Sequence, residues 1–464
     1  MQHAEPSATR QLGTFASALR YEDLPAEVVA RLKACVLDAL GCCLYGVTLP
    51  WTRMLLDVVT ADGGHPIARV LGTPLRIGVS QAVLVGATAG HGFEMDEIHA
   101  AAHLHCGSLA LPAALAIADR QNGVDGRKLI AALAAGYEVG LRVGLAATGN
   151  LFMRGHHFQG ACGPFVAAAT AANLLELSPE AARHALGIAG SLGAGLMAAQ
   201  EGAMSKRLHC GRAAQAGVMG ADLAARGFTG IPNVLEASYG GFLSTLSGEP
   251  EFRHLTRGLS TDWEIRSVGF KPYATAASVQ SVLFAIDGLM MEHSLAAHDI
   301  ERVMIHCSTM AHRHCAWPYE PAGVTAAQMN MFFAAAMMII DRNAMLDQFR
   351  DDRLTDPAAL AMIERITIEA DPKYDAGGDA TRHYARVELT TKDGRSVKRE
   401  VLERPGSPGN PLSPEQLARK FTTLAAAALP AGHIPKIIAA VDALECTDAR
   451  ALTDLATAPS APCR

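Results

Sequence analysis

The chain has 464 residues, which at roughly 150 residues per domain predicts two or three domains and a large core. Its 46 acidic and 40 basic side chains leave a net charge of −6, excluding a general nucleic-acid binder, because that function needs a basic face. Half of the residues are apolar and 19% are charged, below an average of about 25%, so the chain is globular and not disordered.

Aromatic residues make up only 5%, and the abundance of small side chains suits closely packed helices better than strands. The greasiest segments, 109–118 and 329–340, fall short of the roughly 20 apolar residues of a bilayer span. The first residues lack the basic and apolar regions of a secretory leader. Ten cysteines, none in a CxxC pair, predict reduced and mostly buried thiols in a cytoplasmic protein. Neither a membrane nor a nucleic acid is an expected partner.

From residue 24 to about 248 the apolar spacing is helical. Val28, Val29, Leu32, Cys35, Val36, Ala39 and Leu40 recur three and four apart. A second helix is predicted over 128–145, with Gly136, Gly140 and Gly144 four apart on one face; such a stripe lets a neighbouring helix approach closely. Ser178-Pro179-Glu180 and Ser413-Pro414-Glu415-Gln416 are helix starts, the second with a capping box.

Between these helical blocks the period changes. Residues 300–307 and 365–370 read as strands, and 384–391 and 396–401 flank Lys392-Asp393-Gly394, a hairpin signal. Helices over 278–292 and 326–344 interrupt them. The predicted fold is mainly α with an inserted α+β domain. An all-helical domain from both chain ends, 1–266 and 408–464, carries a smaller α/β lid at 267–407. Residues 405–411 form the return linker and 457–464 a frayed tail.

The sequence holds no GxxxxGK[ST] loop, GxGxxG turn, GxSxG elbow or HExxH helix. Polar clusters set in apolar surroundings remain. The first contains His91, Glu94, Asp96, Glu97, His99, His103 and His105. Two chemistries fit it: His99, His103 and His105 as ligands of a divalent metal, or carboxylates and imidazoles as a metal-free acid–base group. The second, Arg154-Gly155-His156-His157 through Gly163, lets the backbone approach a ligand at a helix start. The third, Lys206, Arg207, His209 and Arg212, opens an apolar helix. Cations there oppose the macrodipole unless an anion sits with them, which points to a carboxylate site. Phe270-Lys271-Pro272-Tyr273 lies at the proposed domain junction, and Trp317-Pro318-Tyr319-Glu320-Pro321 is a rigid aromatic turn.

In this order the clusters resemble the MmgE/PrpD family, which includes 2-methylcitrate dehydratases, cis-aconitate decarboxylases and an iminodisuccinate epimerase. The resemblance starts at Lys33 to Cys43 and ends at Asn410 to Phe421. Between them lie Gly136-Tyr137-Glu138, His157 with Cys162-Gly163, Lys206 through Gly211, Gly227 to Gly230 with Glu236, and Lys271-Pro272-Tyr273. It implies a homodimer of two-domain subunits with the site in the crevice and no metal or organic cofactor. Residue by residue, the family's site positions fall on Glu94 with Asp96, His105, His157, Lys206, Lys271 and Tyr319. The sequence departs at Cys106 and Phe158, where proline is common, and at Ala276 and Gln280, where many members carry a histidine.

The chemistry implied is formation or quenching of a carbanion beside a carboxylate. Lys206 and Lys271 would stabilise the enolate, and His105 or His157 would act as base or acid. Glu94 or Asp96 would orient the imidazole, and Tyr319 would supply a proton or hydrogen bond. His103, His209, Arg207 and Gln280 are the expected substrate contacts. The expected activity is a cofactor-independent hydro-lyase acting on a small anionic polycarboxylate of the 2-methylcitrate type. Epimerisation or decarboxylation of a related polycarboxylate is the alternative within the family, and a metal-dependent hydrolase the alternative from another class. Without a lid imidazole at 276 or 280, cis-aconitate should be decarboxylated poorly.

Overall fold

The apolar positions between 28 and 40 lie on one helix, α1 (Ala26–Gly46), in the computed structural model, which describes residues 7–378 and 381–457. Helices α2 (Val79–Gly90), α3 (Gly107–Arg120), α4 (Gly126–Met153), α5 (Gly163–Leu174), α6 (Pro179–Gly190) and α7 (Ser205–Ala224) follow. The hydroxyl of Ser178 accepts from the Ala181 N–H at 3.2 Å and caps α6 as expected. Helix α4 runs well past the predicted 128–145. At 28 residues it is long and apolar enough to cross a bilayer, contrary to the sequence reading, but 94% of its most apolar stretch is buried in the fold. A side chain at Gly136 would meet Thr170, one at Gly140 would meet Val166, and one at Gly144 would meet Ala102. The glycine stripe therefore seats α4 against α5 and the loop before α3.

Farther along the chain, the elements that build the sheet region and its return include α8 (Ala277–Glu292), β1 (Ile300–Cys307), α9 (Met331–Asp341), β2 (Ile366–Ala370), β3 (Ala385–Thr391), β4 (Ser396–Val401) and α10 (Pro414–Ala425). The sheet order is β2-β1-β3-β4, with β1 parallel to β2 and the other pairs antiparallel. The Lys392-Asp393-Gly394 turn joins β3 to β4, and Gly394 adopts the left-handed φ of 87° that this turn requires. The single helix expected over 326–344 is two, Val324–Met329 and α9. Asn330 stops one in an extended conformation and caps the other, its side chain accepting from Phe333 N–H at 3.0 Å.

The chain is thus mainly helical with a small mixed sheet. One apolar core runs through residues 12–270 and 417–456, and a second draws chiefly on 274–401. Ser413 and Gln416 form the expected capping box at the start of α10, which packs on α1. Eight of the nine described cysteines are buried thiols and only Cys446 is exposed. The expected frayed tail lies outside the described residues beyond Thr457.

Gly136→Val should destabilise the protein by about 2 kcal/mol or more, because the new side chain must displace Thr170 in a filled interface. Gly432→Ala, with open space around it, should change stability by less than about 0.5 kcal/mol. Urea unfolding midpoints of the two variants provide the comparison.

Candidate active site

The loop between α2 and α3 carries the first polar cluster into the molecule. Ile98–His99 pairs antiparallel with Val268–Gly269, which draws Lys271 toward Asp96. The turn between α4 and α5 brings His157, the start of α7 brings Lys206, and the second core supplies the start of α8, His314, Met329, Arg382 and His383. These groups line a cavity of about 60 Å³ together with Glu94, His103, His105, Phe152 and Phe158. Glu94 and His103 both hold left-handed backbone, with φ of 55° and 56°. Such conformations are strained outside glycine and persist only where the surroundings fix them.

Glu94 is the electrostatic centre. Its Oε1 accepts from Lys206 Nζ at 2.5 Å and from Arg207 Nη1, and Lys271 Nζ lies 3.6 Å from Oε2. Burial alone would raise this carboxyl, but Lys206, Arg207 and Lys271 outweigh it and hold it well below the ordinary carboxylate range. Asp96 is likewise held low, with burial opposed by His105, His91 and Lys271. The anion that the cationic start of α7 needs is therefore Glu94 itself, a residue of the protein. Burial lowers Lys206 despite this pairing.

Hydrogen bonds set the imidazole tautomers. His105 Nδ1 lies 2.8 Å from the Glu97 carbonyl oxygen, which only accepts, so His105 carries its proton on Nδ1 and presents a bare Nε2. Gln159 clamps the His105 backbone, accepting from its N–H at 3.1 Å and donating to its carbonyl at 2.8 Å. His103 has the opposite tautomer. Its Nδ1 accepts from Arg382 Nη1 at 2.6 Å, leaving its proton on Nε2, and its ring stacks on Phe158 at 4.6 Å. His157 and His209 meet through their Nδ1 atoms at 3.1 Å. Burial pushes His105 and His314 down to about 3 and His157 well below its usual value. The cavity is lined by neutral bases beside fixed cations.

The sequence pattern of the MmgE/PrpD N-terminal domain matches residues 10–255, and that of the MmgE/PrpD C-terminal domain matches 273–445. The chain belongs to the MmgE/PrpD family. It is 30% identical to a cis-aconitate decarboxylase of Aspergillus terreus, over 98% of this chain and 97% of that protein. A cis-aconitate decarboxylase of Homo sapiens is 27% identical over 98% of this chain and 96% of its own length. The cis-aconitate decarboxylase-like protein oryM of Aspergillus oryzae is 30% identical over 95% of each chain.

Of the family positions read from the sequence, Glu94, His105, His157 and Lys206 line the cavity. Asp96 and Lys271 are fully buried just behind it, 3.5 Å apart, so Lys271 neutralises carboxylates of the protein and does not face the cavity. Tyr319 does not join them. Its hydroxyl donates to the Leu354 carbonyl at 2.9 Å and its ring stacks on Phe333.

Among the expected substrate contacts, His103 lines the cavity. Arg207 is buried beneath it, tied to Glu94 and donating to Gln328 Oε1 at 3.0 Å, and His209 stands behind His157. Gln280 is used by the 273–275 turn, with Nε2 donating to the Tyr273 carbonyl at 3.0 Å and to Thr275 Oγ1 at 2.8 Å. Ala276 does line the cavity, yet His314 and His383 line it too. Positions 276 and 280 supply no imidazole, as the sequence shows, but two other histidines between 267 and 407 take that place at the cavity wall. The adjacent Arg382-His383 pair just before a strand was the available signal; nothing in the sequence singled out His314.

The metal set suggested by spacing is dispersed. His99 Nδ1 accepts from the Ala102 N–H at 3.0 Å, and His103 is engaged by Arg382. His91, Asp96 and His105 do bring three donor atoms within 4.8 Å of one another. Both ring Nδ1 atoms there point protons at oxygens, and the Lys271 ammonium is 3.5 Å from Asp96. That arrangement is poor for a cation.

Lys206→Ala should lower stability by about 1–3 kcal/mol, because it strips one cation from a buried carboxylate. Adding Glu94→Gln should recover part of the loss in denaturant titrations. Stability should also depend on pH with a definite sign. His105 and His314 fall to about 3 on folding and His209 to about 4, so between those values and the unfolded value of about 6.5 the unfolded chain binds more protons. Their contribution is complete above pH of about 6.5 and is lost as pH falls. Glu97 shifts the other way, raised by burial and by Asp38 and Asp96. Its contribution is lost as pH rises from the unfolded value of about 4.5 to its raised value of about 8, and Glu97→Gln should remove that decline from the Tm profile.

Proposed function

We propose that the chain is a cofactor-independent lyase of a small polycarboxylate, and that it decarboxylates cis-aconitate or a close analogue. The observation that carries this is the cavity: Lys206 and Arg382 face it together with imidazoles from both cores. The similarity to cis-aconitate decarboxylases over nearly the whole chain supports the choice of reaction. A homodimer, a cytoplasmic location and the division at 266 and 407 belong to the same proposal.

A tricarboxylate entering the cavity adds negative charge beside imidazoles that are neutral when it is empty, and so raises their proton affinity. His105 then takes a proton on Nε2, keeping Nδ1–H on the Glu97 carbonyl. In decarboxylation the bond from the substrate CH2 to its carboxylate breaks and CO2 leaves. The electron pair forms a new double bond, and the former alkene carbon becomes an enolate beside its own carboxylate. Lys206 and Arg382 stabilise that charge. His105 Nε2–H protonates the carbon and the ring returns to its resting tautomer. Atoms and charge balance with one proton consumed.

The opposed tautomers of His105 and His103 favour dehydration as a second reading. A bare Nε2 can remove an α-proton while a neighbouring Nε2–H protonates a departing hydroxyl.

A screen of cis-aconitate, citrate, 2-methylcitrate and substituted succinates, following CO2 release, alkene absorbance and solvent deuterium uptake, separates the two. Itaconate and CO2 from cis-aconitate as the fastest reaction is the expected result. Faster loss of water from a hydroxy acid would select the second reading. Substrate binding should take up protons, measured as a buffer-dependent binding enthalpy, and kcat/KM should fall as pH rises above neutrality. His105→Gln should lower kcat by at least about 100-fold.

A further inference from the structure

A second cavity, of about 310 Å³, lies beside the first, and His383 lines both. Its buried floor is made by Arg404, His383 and His99, which are 4%, 6% and 3% exposed. Its carboxylates lie toward the rim: Glu403 is exposed and Glu264 partly so. Arg257 is exposed at the same rim.

Among the described residues the Arg404 guanidinium makes one long hydrogen bond, from Nη1 to the Phe270 carbonyl at 3.5 Å. Among the described residues no carboxylate oxygen comes within 4 Å of it; Glu403 instead accepts from Ser407 Oγ at 2.8 Å. Burial and the nearby Arg382 push Arg404 down to about 10. Among the described residues the buried Nε2 atoms of His383 and His99 find no hydrogen-bond partner, and Glu264 stays 3.8 Å from His99 Nε2.

A buried cation with no counterion in contact is costly, and nearly all buried polar atoms of native proteins are paired with protein or bound solvent, so this orphaned set calls for an occupant. The exposed rim carboxylates are screened by water, whereas an anion on the floor would meet Arg404 in a low dielectric.

We propose that this second cavity binds a carboxylate and serves as a staging site for the polycarboxylate entering or leaving the first. This inference rests on the polycarboxylate reading above, which supplies the ligand class. The shared His383 wall gives the two sites a common boundary. The guanidinium matches a carboxylate in planar, two-pronged geometry, and the imidazoles can donate to its remaining oxygens.

Tricarballylate, a saturated tricarboxylate with neither an alkene nor a hydroxyl, is a suitable probe for calorimetric titration. The wild-type protein should bind two equivalents. Arg404→Gln should bind one, and its ligand-free Tm should equal or exceed that of the wild type, because an unmatched buried charge is gone. Arg257→Gln, at the exposed rim, should fold normally and weaken only the second equivalent, and it keeps the test decisive if Arg404→Gln misfolds. A single equivalent in the wild type, lost in His105→Gln and kept in Arg404→Gln, would overturn the staging site alone. Absence of any tricarballylate binding, with no turnover of any polycarboxylate, would overturn the parent reading.

Discussion

A carboxylate removed from water must find positive charge nearby, and Glu94 finds three cations. The rest of the site is arranged around that requirement. Lys206 and Arg207 come from the first turn of α7, and Lys271 from the segment that joins the two cores. Lys271 also touches Asp96, which holds His91 and His105. One chain of charges therefore ties the loop before α3 to both cores, and removing any member leaves its buried partners less well compensated. Outside it, Lys420 on α10 donates to Asp38 at 2.6 Å and to the Met95 carbonyl at 2.5 Å, linking the last helical segment to the same loop.

The compensation of charge within the protein leaves the imidazoles neutral. Asp96 pulls the proton affinity of His105 up, yet burial, Lys271 and His91 pull it down further. A ring in that balance responds strongly to an arriving polyanion, which changes local charge while displacing water. The same balance explains why Lys206 is both structural and exposed to the cavity. Its ammonium is matched by Glu94 at rest, and a substrate carboxylate would share it. Arg382 has the corresponding place on the side of the second core, held against His103.

His383 is where the inside of the site meets a larger second cavity. One wall residue common to two cationic spaces gives an anion two neighbouring resting places. Arg404, alone among the groups on that floor in carrying a permanent charge, sets the difference between a water-filled gap and a binding site.

The sequence by itself determined what local rules control. Apolar spacing specified α1 and α4, serine and proline specified the starts of α6 and α10, and Asp393-Gly394 specified the hairpin, because helix periodicity, capping and turn conformation act over a few residues. It also brought forward the polar clusters, since charges and imidazoles in apolar runs need partners. Family resemblance added His105, His157, Glu94 and Lys206, which the fold does bring to one cavity. Only the tertiary structure decided which partner each charge has. Lys206 meets Glu94 across 112 residues of chain, so an ion pair stood where the helix start alone suggested a ligand. Tyr319 and Gln280 spend their polar atoms on Leu354 and on the 273–275 turn, while His314, Arg382 and His383 reach the cavity from distant segments. Through-space pairing and burial set those outcomes, and neither is encoded in the spacing of neighbouring residues.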